Sequence, residues 1–114
     1  MSESTLKVDF SGLVTGLAAS AVAVLGQVEA LLETGRVPGE QDQELSVEEK
    51  KKRVSDGLAG ARQLIDTLAV LQQKTRGNLE ADEEELLQTA LSELRIRHVT
   101  LSTRPATQME GGSG

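Results

Sequence analysis

A single histidine, His98, and no cysteine set the limits of the chemistry open to this 114-residue chain. One imidazole and no thiolate cannot assemble the usual tetrahedral zinc site within one chain, and no disulfide can form. The paired Glu-x-x-His pattern of di-iron bundles is missing, because Arg95 stands three residues before His98. A lone histidine toward a helix end reads as a capping or surface group rather than a catalyst. The acidic run Glu80 to Glu85 lacks the alternating oxygen ligands and central glycine of a calcium loop, and reads as a solvated first helical turn. Lys74 and Thr75, next to Gly77, resemble a phosphate loop only in composition. In a phosphate loop these residues open a helix, where the dipole attracts anions; here they close one, which suits capping and dipole compensation.

The remaining candidate pair is Arg62 and Asp66. Asp66 lies between Ile65 and Leu68 on a largely apolar stretch, with Arg62 one turn earlier. That spacing predicts an i,i+4 ion pair, partly buried, that sets helix register or meets a partner. No second catalytic group stands near it in the pattern, so no catalytic, cofactor-binding or metal residue is assigned and no enzyme is expected.

Composition narrows the fold. The hydrophobic share is 38% with Phe10 as the one aromatic residue, so the core must be built from Leu, Val, Ile and Ala. That set suits helix-on-helix packing and lacks the aromatic residues that strands favour. A net charge of −6 makes nucleic acid a poor partner. The expected fold is a single all-α domain, a three-helix up-down bundle around an apolar first helix, completed by homo-oligomerisation.

The punctuation of the chain gives the elements. Residues 1–8 form a lead. Asp9 caps a first helix over 10–34, ended by Gly35. Residues 35–45 hold Gly and Pro and read as a loop. Ser46 with Glu49 is a capping box that opens a second helix over 46–76. Gly77 and Asn78 stop it, and Leu79 can pack back on it. A third helix spans 81–100, with acids in its first turns and Arg95, Arg97 and His98 in its last, a polarity that matches the helix dipole. The tail 102–114 holds Pro105, ends in GGSG of linker composition, and is expected to be disordered. Val54, Leu58, Ala61, Ile65, Leu68 and Gln72 make a stripe on the second helix, widened by Leu64 and Leu71. Leu87, Leu91 and Leu94 repeat it on the third, widened by Leu86 and Ala90.

The first helix differs. At 100° per residue, Phe10, Val14, Leu17, Ala21, Leu25, Val28 and Leu32 gather on one side. Gly12, Gly16, Ala19, Ala23 and Gly26 gather on the other. The bulky side can fill a core; the small-residue side lets another backbone come close. Without such a use each glycine costs about 1 kcal/mol against alanine. The alternative is that the other two helices, with Gly57 and Gly60, wrap the first completely. The nineteen uncharged residues Phe10–Val28 also approach the length of a membrane span or a signal sequence. Against both stand the dilution by Gly, Ala, Ser and Thr, the single Lys7 as basic flank, and Asp9 and Glu29 at the borders.

The segment from Ala61 to Leu79, ARQLIDTLAVLQQKTRGNL, resembles a bacterial family of short proteins known as a domain of unknown function, family 1844. Asp9-Phe10-Ser11, Leu17 to Ala21 and Leu91 to Arg95 resemble it as well. Where that family often continues with Thr and Pro, Glu80 and Ala81 stand here, and the connection over residues 35–53 is longer and more charged. The resemblance implies a bacterial, helical, cytoplasmic protein and brings no activity or cofactor. The resulting expectation is a non-catalytic protein-interaction module, a self-associating scaffold or regulatory adaptor in a bacterial complex. Its partners would be a second copy of itself and another protein. The alternative is a small membrane-associated protein that uses the first helix at the interface or inserted.

Overall fold

A computed structural model describes residues 9–35 and 45–104. The lead 1–8, most of the loop and the tail from 105 onward, on which three of the expectations above fall, lie outside the described residues. Three helices carry the fold: α1, Phe10–Thr34; α2, Val47–Lys74; and α3, Ala81–Ser102. Among the described residues there is no strand.

Local chemistry sets the ends. The Asp9 carboxylate accepts from the Gly12 N–H at 2.7 Å and caps α1. Gly35 closes it at φ 76°, and its N–H donates to the Leu31 carbonyl at 2.9 Å. A residue with a Cβ would be strained there. Ser46 and Glu49 form the reciprocal capping box of α2: Ser46 Oγ accepts from the Glu49 N–H, and Glu49 Oε1 from the Ser46 N–H. Thr75 is the C-cap of α2 and its Oγ1 donates to the Leu71 carbonyl at 2.6 Å. Gly77, at φ 87°, turns the chain toward α3. In place of a Thr-Pro start, Glu83 reaches back and accepts from the Glu80 N–H at 2.9 Å.

All three helices pack against one another in up-down-up order. Arg97, late in α3, reaches Glu29, late in α1, at 3.1 Å, so α1 and α3 run the same way. His98 of α3 meets the first half of α2 at Leu58, so α2 runs against both. Of the fourteen buried apolar residues among those described, α1 supplies six: Val14, Ala21, Leu25, Val28, Leu31 and Leu32. α2 adds Val54, Ala61, Ile65 and Leu68; α3 adds Leu87, Leu91, Leu94 and Leu101. Phe10, Leu17, Leu58, Leu64, Leu71, Leu79 and Leu86 are half-buried against this core. The aliphatic core and its stripes are those the sequence predicts, with Leu31 and Leu101 as additions.

Gly57 of α2 is packed tightly against α1. A Cβ built there would stand 2.6 Å from Val28 Cγ2. Val28 is 1% exposed and has no room to yield, so α1 and α2 lie as near as they do because residue 57 has no side chain.

Two expectations about charge need correction. α3 continues through Ser102, and no basic residue lies in its last turn, so Arg95, Arg97 and His98 do not compensate its dipole there. Arg97 ties α3 to α1 through Glu29, and Arg104 reaches Glu33 at 3.6 Å. The Arg62–Asp66 pair forms at 3.8 Å, but the side chains are 71% and 64% exposed rather than partly buried. The core-facing positions are Ala61 and Ile65, and a step of 100° carries residues 62 and 66 out to solvent. A pair that exposed contributes little to stability.

Candidate interaction face on the first helix

The Nε2 of half-buried His98 lies 2.9 Å from the Leu58 carbonyl. A carbonyl can only accept, so that nitrogen carries the proton and donates. The one histidine is therefore a strut between α3 and α2. Arg62, Asp66 and His98 share one groove between α2 and α3, with Arg95 and Val99 beside them. The groove gathers two guanidiniums, one carboxylate and an imidazole already engaged with backbone. Among the described residues no three His, Asp or Glu side chains stand close enough to hold a metal ion. The described core holds no buried polar or charged residue.

The outer side of α1 is the distinctive surface. Gly12, Gly16, Ala19 and Ala23 are exposed and Gly26 is half-buried. α2 and α3 leave this side uncovered because both pack on the bulky side, where Val14, Ala21, Leu25 and Val28 are at most 1% exposed. A Cβ added at Gly16 or Gly26 would meet nothing within 4 Å. At Gly12 it would meet only the capping Asp9 Oδ1, at 3.0 Å. Among the described residues no close approach accounts for these glycines, in contrast to Gly57.

The shoulders of the ridge are apolar. Leu13 is 43% exposed and Val22 44% exposed, half a turn of the wheel apart. From Val22 an apolar groove leads between α1 and α3, lined by Ala18, Leu86, Ala90 and Leu94 and rimmed by Glu93 and Arg97. Between Phe10 and Val28 this helix carries no charge at all. The outward sides of its neighbours do: Lys51, Lys52, Asp56, Arg62 and Asp66 on α2, and Glu84, Glu85, Glu93 and Arg95 on α3 are all exposed.

One feature was missed in the sequence. Ile96 and Val99 on α3 are 67% and 58% exposed. With exposed Thr100 and Thr103 they make an uncharged strip on the outer side of the last turns of α3. Counting the wheel outward from Leu87, Leu91 and Leu94 would have placed Ile96 opposite the core.

These features define a class: a three-helix all-α bundle with an apolar core and an uncharged, uncovered first helix. The chain belongs to the family described as Domain of unknown function (DUF1844), whose profile matches residues 7–100. The match runs through the loop between α1 and α2 as well as through all three helices. No curated protein and no solved structure matches the chain.

Proposed function

We propose that this chain is a non-catalytic interaction module that self-associates through the outer face of α1 and serves as a scaffold or adaptor subunit for another protein. One observation carries the reading. Among the described helices, α1 alone is without charge over five turns, and its outer side is the one that α2 and α3 leave bare. A helix apolar all round is normally covered all round, and a bare apolar face rimmed by polar residues marks a contact surface. Gly16→Leu tests it. The position is open to solvent, so leucine should leave the monomer folded and raise its helix stability by about 1 kcal/mol. The same side chain stands between two approaching backbones, so assembly measured by light scattering should fall. Leu13→Ala, on the shoulder, should weaken assembly less. A stable Gly16→Leu protein that assembles like the wild type would remove the face from consideration.

A second reading has its own observation. α1 is long and apolar enough to cross a membrane, and only 22% of its most apolar window is buried. Insertion, however, would strip six side chains from the core, and each fully buried Leu or Val is worth about 1.5–3 kcal/mol. A net charge of −6 also repels anionic lipid. Co-sedimentation with neutral and anionic vesicles separates the readings: the module stays in the supernatant with both, and the membrane protein pellets.

A further inference from the structure

We propose that the occupant of the α1 face is α1 of a second copy, laid antiparallel and registered on Ala19; this rests on the self-association reading and adds its geometry. Charge and length select the occupant. The outward side of α2 and the earlier turns of α3 would carry residues such as Lys52, Asp56, Glu84 or Glu93 onto a face with no charge to meet them, and burying charge there is costly. The uncharged strip of Ile96, Val99, Thr100 and Thr103 covers only the last turns of α3, whereas α1 of a second copy is neutral from Phe10 to Val28. An isologous contact also closes on itself as a dimer, whereas α1 against another side would build a ring or an open filament.

The helix dipoles select the direction. A parallel pair would set the two negative C-terminal ends of α1 side by side, and an antiparallel pair sets each against the partner's positive N-terminal end. Glu29 and Glu33, held by Arg97 and Arg104 of their own chain, do not decide it. The spacing then sets the register. Gly12 and Gly26 lie seven residues before and after Ala19, with Gly16 three before and Ala23 four after. Centred on Ala19, Gly12 faces Gly26, and Gly16 and Ala23 come within one residue of facing each other. The neutral stretch is about 28 Å long. Two such faces bury on the order of 1,000 Å² in total, about the lower limit for a specific interface.

The absence of cysteine makes the test direct, because each introduced thiol is the only one present. A disulfide needs Cα atoms within about 7 Å. In the antiparallel pair Ala19→Cys oxidises to a covalent dimer. Gly12→Cys alone and Gly26→Cys alone do not, since like positions lie about 21 Å apart, whereas a mixture of the two does. Gly16→Cys mixed with Ala23→Cys repeats the test where added Cβ atoms clear the bundle, should Gly12→Cys disturb the Asp9 cap. Self-crosslinking at both Gly12→Cys and Gly26→Cys would mean parallel pairing and overturn the proposal. No crosslinking in a protein that scatters as a dimer would overturn it while leaving self-association on another surface. No crosslinking in a strict monomer would overturn both.

Discussion

At the residue scale, two glycine settings carry opposite expectations. Gly57 is where α1 and α2 touch, 2.6 Å from a would-be Cβ to Val28. Gly57→Ala forces the helices apart and should cost about 1–3 kcal/mol in urea unfolding. Gly16→Leu should stabilise the isolated chain, because nothing lies within 4 Å of its missing Cβ. If both variants destabilise equally, the division between inner and outer glycines is wrong. His98 offers a third check. Its imidazole donates to the Leu58 carbonyl, so His98→Ala should cost about 0.5–1.5 kcal/mol. The ridge residues were legible in the sequence because the 100° step separates small from bulky side chains without any tertiary information. The exposure of Arg62 and Asp66 was not. A four-residue spacing reports that two charges share a face, and whether that face is inside depends on which side the neighbouring helices occupy.

At the scale of elements, the helices declare themselves through their ends and stripes. Asp9, Gly35, and Ser46 with Glu49 play the roles their types imply. Ser46→Ala removes one half of the box and should lower thermal stability by about 1 kcal/mol, with little effect on assembly because that cap lies far along the chain from the α1 ridge. The end of α3 was less legible. Ser102 and Thr103 carry no strong stop signal, and the helix goes on until Leu101 is covered at 4% exposure. Tertiary burial therefore decided a boundary that local composition left open. The same competition explains Arg97: in sequence it looks like dipole compensation, and in the bundle Glu29 draws it to α1.

At the scale of the whole molecule, the six core residues on one side of α1 and the bare ridge on the other make it the hinge of the account. The fold class follows from composition and periodicity, since aliphatic stripes on three helices leave few other ways to bury them. What covers the outer side is not written in any one chain, because the partner's surface is a separate choice among the charged and neutral faces available. An uncharged contact predicts that assembly is insensitive to salt, in contrast to an interface held by ion pairs. The most direct measurement is sedimentation equilibrium of the cysteine-free chain across about 1 to 100 μM, with Gly16→Leu alongside. The expected result is a reversible monomer–dimer equilibrium in the wild type that shifts to monomer in the variant, at unchanged or higher helical content. A wild type that remains monomeric across the range, or a variant that dimerises as strongly, would contradict it.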